Sequence, residues 1–230
     1  LLKNYNEQED IKNMNLVLFK DALDHLLRIH RIIRLPKGNA LLVGVGGSGK
    51  QSLTKLATYV ANYSLYEITL SRTYNENEFK EDLKILYNIL GIKNKKTVFL
   101  FTDAHIKEEG FLEFINNMLT SGYVPALFND EERNNLIELI RKDIPSNIVA
   151  SRENCWSYFI NRCINNLHIV LCLSPAGDLL RQRCRNFPGM VNNTVIDWFF
   201  PWPTIALKAV AKVLINTEDE LLFGNNNKNK

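Results

Sequence analysis

The stretch Ala40-Leu41-Leu42-Val43-Gly44-Val45-Gly46-Gly47-Ser48-Gly49-Lys50-Gln51-Ser52-Leu53 leaves few folds open to this chain. An apolar run that ends in glycine, a burst of further glycines, then lysine and a helix-compatible segment is how a chain wraps a nucleotide phosphate. Each part has a physical task. Glycines let successive backbone N–H groups converge on an anion, the following helix presents the positive end of its dipole, and a lysine reaches the terminal phosphate oxygens. Gly44, Val45, Gly46, Gly47, Ser48 and Gly49 with Lys50 therefore read as a phosphate-binding P-loop. After the lysine the motif expects Ser or Thr as a Mg²⁺ ligand, and here Gln51 stands, with Ser52 one place later. A glycine-rich turn that binds nothing is the bland alternative. It is disfavoured because a strand pattern precedes the loop and a helix pattern follows it.

Apolar runs and helical periodicities alternate along the rest of the chain, which predicts an α/β domain built on a parallel sheet. Strands are expected at Ala40 to Val43, Leu65 to Leu70, Thr97 to Asp103, Leu167 to Leu173 and Thr194 to Trp198. Thr97-Val98-Phe99-Leu100-Phe101-Thr102-Asp103 has no alternation, as befits a central strand covered on both faces. Helices are expected from Asp21 through Ile33, from Leu53 to Val60, from Glu78 to Leu90 with Gly91 at its C′ position, around Phe111 to Met118, from Asp178 to Arg185 and from Ile205 to Ile215. Pro36-Lys37-Gly38 breaks the first of them ahead of the P-loop strand.

Composition limits what such a domain does. With 46% hydrophobic and 23% charged residues the chain can bury a substantial core, and a net charge of +3 is too small to argue for nucleic acid or an anionic membrane as partner. Cys155, Cys163, Cys172 and Cys184 form no C-x-x-C pair, so reduced structural thiols and a reducing compartment are expected. No signal-like or membrane-spanning apolar run is visible, and a soluble intracellular protein is the expectation.

Asp103, at the carboxyl end of an apolar strand, is where an open α/β sheet would place a carboxylate beside the P-loop's phosphates, holding Mg²⁺ directly or through water. Hydrolysis needs a further group to orient the attacking water, usually a Glu beside that Asp. Ala104 and His105 follow instead. Alanine cannot take the role, and His105 is read first as a hydrogen-bonded histidine, second as a water-positioning group. Glu108 and Glu109 suit a helix N-terminus. Arg181, Arg183 and Arg185 diverge around a helix, so a solvated face is the plain reading and an arginine finger projecting into a neighbour's site the sharper one.

At this point several stretches resemble one family: Met14 to Ala22, Leu35 to Leu53, Phe99 to Asp103, Ile115 to Gly122, Val124 to Phe128, Asn166 to Pro175, and Phe187-Pro188 with Thr194 to Phe199. Together they look like dynein heavy chain, at the fourth AAA+ module of its motor ring in the axonemal version. The likeness spans roughly Ile11 to Ile215, and Gln51 and the Thr102-Asp103 pair without a following Glu are features of that module. It implies a P-loop NTPase fold of AAA+ type with a five-stranded parallel sheet flanked by helices. The implied divisions are a polar N-terminal segment at 1–12, a nucleotide-binding subdomain at 13–203, the start of a helical lid at 204–216 and a disordered Asn/Lys-rich tail at 217–230, with most of the lid absent.

The same resemblance implies roles for residues. Lys50 and the 44–49 loop would bind ATP phosphates, Ser52 or Gln51 would lie near Mg²⁺, and Asp103 would be the Walker B carboxylate. Ser174 resembles the sensor I position. Val17 and Leu18 would line the adenine pocket, and Arg183 or Arg185 would approach a neighbouring module's nucleotide. Implied partners are the neighbouring AAA+ modules of one heavy chain, microtubules indirectly through a stalk, and dynein intermediate and light chains, with no nucleic acid and no membrane. The implied location is the cytoplasm and cytoskeleton, in a ciliary or flagellar axoneme. Two other readings stay open, an autonomous P-loop ATPase and a P-loop protein acting on nucleic acid. The missing glutamate weakens the first and the lack of a basic-aromatic stripe the second.

Overall fold

In the computed structural model, which describes residues 2–7, 13–14, 16–145 and 149–223, the strands are β1 Ala40–Gly44, β2 Ser64–Tyr66, β3 Thr97–Thr102, β4 Leu167–Leu173 and β5 Val195–Phe199. They form one 5-stranded sheet in the order β2-β3-β4-β1-β5, and every neighbouring pair runs parallel. β1, β3 and β4 are buried along their whole lengths. The reason is the period of two: Leu41, Val43, Phe99, Phe101, Ile169 and Leu171 feed the core on one face, while Ala40, Leu42, Val98, Leu100, Val170 and Cys172 feed the core on the other. A strand that must be apolar on both sides cannot alternate, which is why these runs were continuous in the sequence.

Two helices, α2 Lys20–Arg34 and α3 Lys50–Val60, cover the second face, with Ile29, Ile33, Leu53 and Leu56 fully or almost fully buried. Leu23 and Val60, apolar residues of these helices, are exposed. The first face is covered by α4 Glu76–Tyr87, α5 Gly110–Ser121, α6 Asp130–Ile140 and α7 Arg152–Asn166. Of these, α6 and α7 were not anticipated. Yet α6 has an Asn129/Glu132 capping box, and α7 buries Cys155, Phe159 and Cys163 at four-residue spacing behind a Ser151 cap.

Further differences have local causes. α1 Leu2–Asn6 forms within the expected polar segment because Tyr5 tucks edge-on against Tyr59, with ring centroids 5.4 Å apart. β2 stops at Tyr66, since it is an edge strand pairing only with β3, and Ile68 then enters the core from a loop. α8 Leu179–Asn186 and α9 Gly189–Asn192 lead into β5, and α10 Thr204–Phe223 continues past the expected start of the tail, while 224–230 lie outside the described residues. No helix among the described residues is long and apolar enough to cross a membrane.

Gly91 is not the C′ residue of α4. The chain passes from α4 into a π-turn over Asn88–Ile92, and a Cβ on Gly91 would fall 2.1 Å from Phe159 and 2.9 Å from Cys163. Its glycine is demanded by the close approach of α7, while the left-handed cap belongs to Gly122 at the end of α5, at φ 77°. Gly91→Ala should therefore cost about 1–3 kcal/mol of stability by overpacking. Urea unfolding of the variant checks this, and an unchanged midpoint would refute it.

Candidate nucleotide site

The P-loop spans the turn between β1 and α3, at the carboxyl edge of the sheet. Gly47 and Gly49 hold φ of 75° and 90°, a region that side chains disfavour, and this lets the loop turn tightly from β1 into α3. Gly44 is glycine for another reason: a Cβ there would lie 2.6 Å from the Cβ of Phe199 on β5. Lys50 opens α3 and is buried, and its ammonium donates to the carbonyls of Gly44 at 2.6 Å and Val45 at 2.8 Å and to Ser48 Oγ at 3.1 Å. Burial pulls its pKa below the usual lysine value, and the neighbouring Cys172 and Asp103 pull it back up. Neutral carbonyls are weaker acceptors than phosphate oxygens, so an incoming phosphate can compete for all three N–H donors.

Across the cleft stands Asp103, at the end of β3. The topology inserts β4 between β3 and β1, and Ser174, just after β4, lies beside Asp103. Its backbone N–H donates to Asp103 Oδ2 at 2.6 Å, and its Oγ accepts from the Ala176 N–H at 3.3 Å. Lys50, Gln51, Ser52, Asp103, Ala104 and Ser174 all line one cleft of about 560 Å³. The residues fit a Mg²⁺–nucleotide: a glycine cradle and a cation for phosphates, and one carboxylate with the Ser52 hydroxyl and Gln51 amide nearby for a hard cation. Among the described residues there is no group of three or more His, Cys, Asp or Glu that could hold a metal ion.

A second cavity, of about 240 Å³, continues from the cleft past Ser48 and Gly49. Val17 lines it; Leu18 does not, packing instead into the core beneath α2. The wall is supplied by residues the sequence reading left out: Leu16, Phe19, Phe199 and Trp202, with Phe19 and Trp202 edge to face at 5.2 Å. His25 stacks on Phe199 at 3.9 Å and meets Asp197 at 2.7 Å, while Arg28 donates to the other Asp197 oxygen at 3.0 Å. Aromatic planes and a charged rim suit a flat heterocycle. The helical spacing that puts His25 and Arg28 on one face was readable, but their partner on β5 was not.

His105 takes the plainer of its two expected roles. Its Nδ1 accepts from the Thr102 N–H at 3.1 Å, the ring packs on Phe101, and burial lowers its pKa. It does not line the cleft. The arginines divide: Arg181 and Arg185 are exposed on α8, while Arg183 is buried against Asp103 and Glu109 of the same chain. As placed here, Arg183 is not a residue projecting toward a neighbour, because two carboxylates hold it inward.

The parallel sheet, the P-loop at its carboxyl edge and the carboxylate just after β3 define a P-loop domain of the AAA+ type. In agreement, the structure superposes on the Hsp104–ADP complex of S. cerevisiae with a TM-score of 0.52 over 91% of this chain and 32% of that one, at 11% identity, a likeness of fold alone. The family model described as P-loop containing dynein motor region D4 matches residues 14–230, and the chain belongs to that family. It is 60% identical over 215 residues to the Dynein-1-alpha heavy chain of the flagellar inner arm I1 complex from Chlamydomonas reinhardtii, and 61% identical over 213 residues to human Dynein axonemal heavy chain 10. These alignments cover 93% and 92% of this chain and 5% of each relative.

Proposed function

We propose that the chain is an ATP-binding module of a dynein-type microtubule motor, in which nucleotide sets the geometry of a ring of modules and is hydrolysed slowly or not at all. One observation carries this reading: Lys50 and Asp103 face one cleft, and Ala104 occupies its wall where a glutamate would polarise water. The loop and Lys50 bind the phosphates, Asp103 and Ser52 hold Mg²⁺, Ser174 fixes the Asp103 carboxylate, and the aromatic cavity takes the adenine. Bound Mg²⁺ supplies charge neutralisation between phosphate oxygens. Of the two arginines expected to approach a neighbour's nucleotide, Arg183 and Arg185, the exposed one is Arg185. The relatives' names give a heavy chain and a flagellar or axonemal location; the family likeness adds, as part of this proposal, other AAA+ modules of one heavy chain, microtubules through a stalk, and intermediate and light chains as partners.

Asp103→Asn tests the metal role. ATP affinity in Mg²⁺ should fall about tenfold or more, since a charge-assisted contact is worth roughly 1.5–3 kcal/mol. In EDTA it should hold steady or improve, because a negative charge near the phosphates is gone. An equal loss in both conditions would contradict the assignment.

A further inference from the structure

The topology brings Arg183 back against two carboxylates, Asp103 and Glu109, that precede it by 80 and 74 residues. Arg183 on α8 is only 7% exposed. Its Nη1 donates to Asp103 Oδ1 at 2.9 Å, while Nη2 and Nε both donate to Glu109 Oε1, at 2.8 and 3.1 Å. The other Asp103 oxygen, Oδ2, is taken by the Ser174 backbone N–H. Both oxygens of the carboxylate facing the phosphate cleft are thus engaged from within the chain. A divalent cation on Oδ1 would share or displace the Arg183 contact, and one on either oxygen of Asp103 meets a fixed positive charge at hydrogen-bond distance from its own ligand.

Guanidinium geometry explains the division of labour. One edge of the fork, Nε with Nη2, faces Glu109, which leaves Nη1 for Asp103. A buried arginine stripped of both partners would be strongly disfavoured, so Glu109 keeps it in place if Asp103 turns to a metal. Glu109 itself is half exposed, and its position at the start of α5 ties this anchor to the helix that packs against α9.

We propose that Arg183 serves inside its own chain as the counter-ion of Asp103, anchored by Glu109, and so sets how strongly nucleotide binding at this site depends on Mg²⁺. It is a positioning residue, acting through Asp103. The proposal rests on the nucleotide reading above and adds to it a competition between an internal guanidinium and the metal for one carboxylate.

The test is the ratio of ATP affinity in excess Mg²⁺ to that in EDTA, measured on the purified chain by calorimetric titration. Arg183→Gln should raise the ratio about tenfold, because Asp103 is released to the metal and metal-free ATP loses a nearby cation. Glu109→Gln should lower it, since the guanidinium then has Asp103 as its sole counter-charge and holds it harder. Arg183→Lys, which keeps the charge and loses the fork, should fall between wild type and Arg183→Gln. A purely structural role would depress both affinities together and leave the ratio unmoved. An unchanged ratio in Arg183→Gln, or Arg183→Gln and Glu109→Gln moving it the same way, overturns the proposal. Should Arg183→Gln fail to fold, as judged by circular dichroism, Glu109→Gln decides alone, and a ratio that does not fall is the overturning result. Wild type that binds no ATP in either condition overturns the nucleotide reading and this proposal together; tight, Lys50-dependent binding with an unmoved ratio overturns this proposal only.

Discussion

Ala104→Glu should raise single-turnover ATP hydrolysis by roughly 10²–10⁴, the usual contribution of a positioned general base. Ala104 lines the same cleft as Lys50 and Asp103, where the proposed function puts the terminal phosphate and its attacking water. The neighbouring histidine does not substitute for it, because His105 is bonded back to Thr102 and lies off the cleft. The comparison belongs in a tandem or ring protein that presents a neighbour's arginine, since a lone module lacks that contribution whatever stands at position 104. Two outcomes would count against the account. Wild type could already turn over at rates ordinary for working ATPases, or His105→Ala could abolish turnover and so reveal the water-positioning group.

The parts of this fold that were legible in sequence are those whose local pattern admits one packing solution. β1, β3 and β4 declare themselves because unbroken apolar runs bounded by glycine, aspartate or proline have nowhere to go but the middle of a parallel sheet. The P-loop declares itself because Gly44, Gly46, Gly47 and Gly49 fall within six positions between a strand pattern and a helix pattern, with Lys50 directly after them. Asp103 follows from its place at the end of β3. By contrast, α6 is mostly polar, and α7 shows its stripe through Cys155, Phe159 and Cys163 among many polar neighbours, so periodicity alone was faint and the caps were the better signal.

Contacts between distant segments were out of reach for a different reason. Alternating arginines on a helix point in several directions, and only the placement of α8 over the end of β3 shows which one meets Asp103. Trp202 joins the aromatic cavity because β5 lies beside β1 and delivers the following segment over the P-loop. Gly91 looked like a helix terminator, and the bulk of Phe159 from another helix is what requires it. In each case the residue type was visible and its partner was set by topology.

The central claim is that the loop carrying Lys50 binds ATP phosphates. Lys50 currently spends its three N–H donors on Gly44, Val45 and Ser48, partners that a charged phosphate outcompetes. Calorimetric titration of ATP into wild type and Lys50→Ala is the direct measurement. The account predicts saturable one-site binding to wild type and an affinity weaker by about tenfold or more in the variant, the loss of a contact worth roughly 1.5–3 kcal/mol. Equal affinities for the two proteins, with Lys50→Ala still folded, would contradict it.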